Sequence, residues 1–347
     1  MARILIEAHH PAHIHFWKFI IKELQERGHQ ILLVGRDRDV MRHLLKAFDW
    51  IPSVVPTRAG RGKANIFPFS EMLKRQWALY RSMKNFQPDL VLSLMGSYTQ
   101  MARLLGIPNW VFTDSEFQHF NHRISHPFAD RIYTPSCFYK SLGKKQRIYH
   151  GYHELTFLHP RYFAPNPEVL SYLGGARAGH YVIFRISAWD TLHDWKHSGL
   201  GDQLPEIIET VREIHPVYII AEGGSLPPDW ERYRFKAPPH LFHDALAFAR
   251  LVVTEGASTA SEATCLGVPS FYVNSTEARG YLLDQSQRYG WPVCQENPEG
   301  LKEKIKQELT QNRSPDESLN LRNEVISEHI EVGQYILEEI ENEFPRQ

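Results

Sequence analysis

Two short stretches carry the residue types of a reaction centre. Residues 9–15 read HHPAHIH, four imidazoles around a proline. Residues 254–269 read TEGASTASEATCLGVP, hydroxyls and a carboxylate set between glycines. Imidazole titrates near neutral pH and suits proton transfer. A Gly–Ser/Thr turn that opens a helix presents backbone N–H groups and the positive end of a helix dipole, a general anion site. The histidine run also admits a metal cluster. His13 and His15 speak against it: two positions apart at a helix start, they point roughly 200° apart. His13, at the helix start, is then a candidate for proton transfer or for contact with a ligand. His10 is its acceptor-side neighbour, and His15 packs or caps. No metal is expected.

In the second stretch Gly256 is expected to let the backbone turn tightly, with Ser258 and Thr259 beside free amide donors. Glu262, expected in the first turn, can cap that turn or accept hydrogen bonds from vicinal hydroxyls such as a ribose. The same residues also fit a capped helix start with no ligand. A third stretch, FRISAWDTLHD (184–194), follows an apolar run. Arg185 can pair bidentately with phosphate oxygens and stabilise negative charge that develops on them. Ser187 can donate a further hydrogen bond, and Asp190 and His193 add ionisable groups on the acceptor side. Hydrogen bonding within the loop is the competing account, and these residues alone do not close a metal site. Gly223 can let the backbone approach a ligand, and Arg279 can touch sugar. RAGRGK (58–63) reads as a solvated basic loop, with an anionic acceptor or membrane headgroups as its alternative.

These residues need a frame. ARILIEA, HQILLVG, IPSVVP, PDLVLSL, PNWVFT and DRIYTP read as strands separated mostly by helices. HPRYFAPNPEVLSYLGG (159–175), with three prolines and a final Gly-Gly, marks the junction. HYVIFRI, PVYIIAE, a short strand around HLF, RLVVTEG and PSFYVNS then repeat the grammar. The fold class is therefore α/β: two doubly wound Rossmann-like domains, 1–165 and 166–330, facing across a cleft at the carboxyl ends of their strands. The helical segment 316–343 is expected to reach back across the first domain, with 331–347 as a C-terminal helix.

Composition narrows the classes. A formal net charge of -1 over 347 residues leaves no overall basic footprint for nucleic acid. Cys137, Cys265 and Cys294 are widely spaced and form neither a disulfide framework nor a CxxC motif. The apolar run of MARILIEAHH is too short for a signal-peptide core, so a cytoplasmic location is expected, which counts against an exported receptor. AHHPAH follows the first strand where a dinucleotide-binding oxidoreductase needs GxGxxG. His13 and His15 match a metallohydrolase His-x-His, but a chain in two halves does not supply that barrel's eight βα units.

TEGASTASEATCLGVP resembles the nucleotide-sugar motif of GT-B glycosyltransferases, such as the enzyme that adds N-acetylglucosamine to lipid I, and that of UDP-N-acetylglucosamine 2-epimerases. With HPAHIHF (10–16), YHELTFLHPRYFAP (152–165) and FRISAWDTLHD, the chain resembles the DUF354 family over nearly its full length, a family usually described as glycosyltransferase-like. The resemblance implies Gly256, Ser258 and Thr259 at a diphosphate, Glu262 at a ribose and Phe242 at a nucleobase. It also implies a base after the first strand, here His13. Where the epimerases carry a His-Gly-Asp turn, this chain has Met95, Gly96 and Ser97. Asp114 can supply one epimerase carboxylate, but the next is replaced around FQHFNH. Asp114 and Glu116 are accordingly read as acceptor-activating groups. The implied activity is metal-independent and cofactor-free transfer from a nucleotide-activated sugar, UDP favoured, to a glycan, lipid-linked or small-molecule acceptor. An epimerase-like enzyme and a non-catalytic nucleotide-sugar binder remain alternatives. A lipid-linked acceptor would bring the chain to the inner face of the membrane.

Overall fold

The structure is a computed structural model that describes residues 1–36, 39–50, 53–55, 68–186, 199–221, 226–276 and 279–345. The chain divides into two compact units. One comprises Met1–Phe157 with Ile330–Gln347, the other Leu158–His329.

The first unit is built on a seven-stranded sheet in the order β3-β2-β1-β4-β5-β6-β7. Its strands are β1 (Arg3–Ala8), β2 (Gln30–Arg36), β3 (Ser53–Val55), β4 (Leu90–Leu94), β5 (Asn109–Phe112), β6 (Arg131–Pro135) and β7 (Gln146–Tyr149). Every pairing is parallel. RILIEA and LVLSL are almost wholly buried along their length. Apolar runs without alternation are what a strand needs when helices cover both faces of its sheet. The winding runs outward from β1 to β3, then crosses to β4 and continues the other way. The turns after β1 and β4 therefore flank the reversal point, where α/β sheets hold their ligands.

The helix Pro11–Glu26 starts with proline at its first position and buries Ile14, Trp17, Ile20, Ile21 and Leu24. The C-terminal helix Val332–Glu343 also belongs to this unit. It buries Val332, Ile336, Leu337 and Ile340. Its polar side is tied down by Arg27 Nη1 to Glu341 at 2.8 Å, Arg131 Nη2 to Glu343 at 2.6 Å and Tyr133 O–H donating to Glu339 at 2.6 Å. A Cβ on Gly151 would lie 2.5 Å from Val332 Cγ2, so only glycine admits this helix. The helical segment expected over 316–343 is in fact two helices, Pro315–Ser327 in the second unit and Val332–Glu343 in the first. The break at 328–331 is where the chain passes from one unit to the other.

The second unit carries β8 (Val182–Ile186), β9 (Val217–Ala221), β10 (Leu251–Thr254), β11 (Ser270–Val273) and β12 (Val293–Gln295) in the order β12-β11-β10-β8-β9, again all parallel. Its reversal point lies between β8 and β10. Phe184, Ile207, Ile219, Val253, Phe271 and Ile305 form the centre of its core. The strand expected around HLF is instead a 3-10 turn, Pro239–Leu241, leading into the helix Phe242–Ala247. Pro238 and Pro239 remove the N–H donors that a strand would need there. The helix Ala257–Cys265 ends at Gly267, which has φ +77° and would place a Cβ 2.0 Å from the Ser318 carbonyl oxygen.

That contact sets the first test. Gly267→Ala should destabilise the protein by about 2 kcal/mol or more in urea unfolding, because strain and a backbone clash add. Gly106→Ala, at φ +69° with open space around its Cβ, should cost only about 1–2 kcal/mol. Equal losses would remove the packing argument.

Candidate functional site

In the second unit the reversal point is lined by a cation and by a helix start. Arg185 stands near the end of β8, in register with Thr254 of β10. Its guanidinium donates to Thr259 Oγ1 and lies 5.8 Å from the centre of the Phe242 ring. Gly256 caps the helix Ala257–Cys265 through its backbone, with no side-chain hydrogen bond to the first amides. Those N–H groups and the dipole they terminate face the same turn as Arg185. Ser258 is half-buried, and its hydroxyl makes no hydrogen bond among the described residues. Thr254 Oγ1 accepts from the Gly256 N–H at 2.9 Å, which fixes the turn.

Two expectations here are corrected. Gly256 has φ -97°, a conformation open to any residue, so the turn does not require glycine. What glycine supplies is room: a Cβ would stand 3.4 Å from Arg185 Nη1 and 3.5 Å from Thr254 Oγ1. Glu262 is not in the first turn. It lies one turn further along the helix, buried, with Oε1 3.2 Å from His243 Nε2. His243 follows Phe242 on the next helix and packs edge-on against it. Arg279 caps the helix Gly280–Tyr289, with Nη1 3.5 Å from the Tyr272 hydroxyl. Ser187, Asp190, His193 and Gly223, like the loop 58–63, lie outside the described residues.

Glu255, which sequence reasoning passed over, organises this edge. Its carboxylate accepts from the Leu200 N–H at 2.8 Å, and its carbonyl accepts from Asn274 Nδ2 at 3.1 Å. Gly199, at φ +69°, makes room for it, since a Cβ there would meet Glu255 Oε1 at 2.0 Å. One residue thus ties the turn after β10 to two neighbouring loops.

In the first unit the histidine run separates into roles. His10 is the N-cap, accepting from the Ala12 N–H at 3.3 Å. His15 packs against Phe48 and Phe157 rather than capping. His13 is buried, and its Nδ1 accepts from the His9 N–H at 3.3 Å. That bond places the proton of a neutral ring on Nε2, so His13 offers a donor there and not the lone pair of a base.

His9, directly after β1, joins a buried relay. Its Nδ1 lies 2.9 Å from Glu7 Oε1 and its Nε2 is 2.5 Å from the Tyr98 hydroxyl. The Glu7 charge beside Nδ1 favours a proton on that nitrogen, the tautomer in which Nε2 accepts from Tyr98 across the β1/β4 reversal point. Met95, at the end of β4, has φ +76°, an unusual strain for a side-chain-bearing residue and one that clusters at functional turns.

Beyond β5, Asp114 Oδ2 is 3.3 Å from His153 Nδ1. Asp114 keeps about a quarter of its side chain exposed (25%) while His153 is buried. Burial first, and the Asp114 charge second, push the Tyr149 hydroxyl well above its ordinary value. Glu116 is fully buried, with its carbonyl held by Lys140 Nζ at 2.8 Å. The sequence signal for His153 was the YHELTFLHP stretch. For Glu7 it was a carboxylate on a strand two positions before a histidine, a spacing that in extended backbone sets both side chains on one side. No group of three His, Cys, Asp or Glu among the described residues is arranged to hold a metal ion. No helix among them is long and apolar enough to cross a membrane.

Two wound parallel sheets with matching reversal points invite comparison with known chains. The DUF354 sequence pattern matches residues 2–280. The chain belongs to the DUF354 family. That family is described as proteins of unknown function. This DUF354 chain is 21% identical to an uncharacterized protein of Methanocaldococcus jannaschii over 82% of its own length and 86% of the relative's. Its fold is similar to the UDP-N-acetylglucosamine 2-epimerase from Rickettsia bellii, with a TM-score of 0.67, 13% identity, and coverage of 99% of this chain and 96% of the other. It is also similar to spinosyn rhamnosyltransferase SpnG complexed with thymidine diphosphate, with a TM-score of 0.59, 14% identity, and coverage of 97% and 100%. The architecture is thus the GT-B type.

One electrostatic consequence is testable. His126 packs against Gly96 in the turn after β4, and burial pushes its imidazole down to about 4. Between pH 6.5 and about 4 the unfolded chain binds a proton that the folded chain refuses. Stability should therefore fall as pH drops through that window. His126→Gln should flatten this fall in urea titrations. An unchanged pH slope would show that His126 titrates normally.

Proposed function

We propose that this chain binds a nucleotide-activated sugar through its second unit and transfers the glycosyl group to an acceptor hydroxyl activated by its first. The observation that carries the reading is the meeting of Arg185 with the amino end of the helix Ala257–Cys265 at the β8/β10 reversal point. A fixed cation beside a set of convergent backbone N–H groups suits a diphosphate, whose negative charge grows as the glycosidic bond breaks. The fold's likeness to glycosyltransferases and UDP-sugar epimerases supports a nucleotide-sugar function of this general kind.

In this reading Arg185, the amides after Gly256, Ser258 and Thr259 take the diphosphate. Phe242 offers a ring to the nucleobase, Glu262 oriented by His243 accepts from the ribose hydroxyls, and Arg279 reaches sugar. The acceptor oxygen bonds to the anomeric carbon as the carbon–oxygen bond to the β-phosphate breaks. The nucleoside diphosphate leaves with the electron pair. Asp114, paired with His153, takes the acceptor proton. His13 donates from Nε2 to an oxygen of the acceptor or phosphate, a change from the role of base. UDP is the preferred nucleotide, and the acceptor is a glycan, a lipid-linked saccharide or a small molecule.

A second reading has its own observation. Asp114, with Glu154 close enough to act on the same Tyr149 hydroxyl, groups carboxylates after β5 and β7, as a proton abstraction beside a carbonyl or acetal carbon would need. Incubating UDP-N-acetylglucosamine with the protein in deuterium oxide separates the two. Deuterium at sugar carbon 2 would establish epimerisation, whereas transfer leaves that position unlabelled.

Calorimetry with a panel of nucleoside diphosphates and their sugars tests the core claim. The wild-type chain should bind at least one of them, and Arg185→Ala should weaken that binding about tenfold to a hundredfold, the loss of one charge-assisted contact. A wild-type chain that binds none ends the proposal. Asp114→Asn should leave donor affinity intact and lower kcat by about a hundredfold or more. Full turnover in that variant would remove Asp114 as the base.

A further inference from the structure

The first unit contains a cavity of about 740 Å³ whose walls are basic. Arg123, Lys140, Lys144 and Lys145 line it with His122 and His126, and no carboxylate belongs to the lining. It runs between the short helix His119–Ile124, the 3-10 turn His126–Phe128 and the loop from β6 to β7. Pro127, Ile132 and Leu142 also line it, together with the aliphatic stems of the basic side chains.

We propose that this cavity binds the phosphate group of a ligand. Four cations around one space repel each other, and a dianion among them relieves that repulsion. The lysines are arranged with capacity to spare. An ammonium has three N–H donors. Lys145 uses two, on the carbonyls of Pro127 and Ala129 at 2.7 Å each, and Lys140 uses one on the Glu116 carbonyl. Each is thereby held in place with a donor left over. Arg123 and Lys144 are exposed and pair with no carboxylate among the described residues.

His126 is the second, independent observation. It is only 3% exposed; the Met95 backbone acts on it, yet neither ring nitrogen has a hydrogen bond of sound geometry among the described residues. His122, whose ring packs 4.8 Å from that of His126, is also held below its ordinary value, first by burial and then by Lys140. A buried imidazole whose hydrogen bonding is incomplete is costly unless something completes it. A phosphate oxygen does so for either protonation state and favours the protonated one. Lys140 links the cavity to the loop that bears Asp114 and Glu116, so a phosphate seated here would anchor a molecule beside the acceptor-activating groups. The cavity itself does not depend on that assignment, since it shares no residue with the nucleotide-binding unit.

The phosphate has two sources in chemistry, a soluble phosphate monoester or a lipid headgroup. Phe120 and Ile124, exposed on one face of the helix beside Arg123, give the lipid source a reason to be tested. Histidine ring NMR of the full chain reads the site directly, with His122→Gln and His126→Gln assigning the signals. Glycerol 3-phosphate is the soluble probe. Vesicles of phosphatidylcholine, alone or mixed equally with phosphatidylglycerol, are the lipid probe, read by sedimentation.

The soluble source predicts saturable movement of both ring signals and a rise in the pH at which they titrate. The headgroup source predicts sedimentation with the anionic vesicles only. Either result should weaken about tenfold or more in Arg123→Glu/Lys144→Glu, two surface changes that spare the core. If neither probe engages the wild-type chain, or if the double variant binds as well as the wild type, the proposal is overturned. Calorimetry with the nucleotide panel on the same double variant keeps the two proposals apart, because donor binding should be unaffected by loss of this cavity.

Discussion

A parallel sheet covered by helices on both faces has almost no place for polar side chains except its strand ends. Both sheets here obey that constraint. β1, β4, β8 and β10 are apolar nearly throughout, and the first charged or hydrogen-bonding groups appear where they stop: Glu7 and His9 at β1, the strained Met95 after β4, Arg185 at β8, Thr254 and Glu255 at β10. The two winding reversals then decide which of these ends become neighbours. Each brings together chain segments more than sixty residues apart, and each joins a strand end to the start of a helix.

What stands at these points is held by partners buried with it. Glu7 lies beside His9, His9 meets Tyr98 and His243 lies beside Glu262, while the partly exposed Asp114 meets the buried His153. Burying such groups costs free energy that pairing only partly offsets. The return on that cost is a fixed direction for each ring and carboxylate, which is what positioning chemistry requires. Unit two adds a mechanical version of the same device, with Glu255 gripping the Leu200 amide past a glycine that has no side chain to obstruct it.

Much of the fold was legible because continuous apolar strands alternate with helices in a regular way. The strands that escaped notice, β7 and β12, are short edge strands with polar residues, and edge pairing leaves no hydrophobic signature. The strand expected at HLF shows the opposite failure, an apolar pair whose flanking prolines forbid the ladder. For the candidate site, Arg185, Thr259 and Glu262 stood out because they sit on recognisable turns. His153 and the pairing of His243 with Glu262 did not, since the partners are 39 and 19 residues apart in the chain and only folding brings them together. The role of His13 turned on a single backbone bond from His9, a contact that depends on how the strand enters the helix and that no spacing rule encodes.

The helix Val332–Glu343 closes the first unit after the whole of the second has been traversed. Topologically the second unit is an insertion between Phe157 and Ile330. On a ribosome that geometry inverts the order in which the units can finish. The unit that emerges first must wait, with the surface that receives Val332, Ile336 and Ile340 uncovered, while the later unit can complete its own core. The helix Val332–Glu343 is in that sense a latch, the piece that covers the first unit's core once the second has been made.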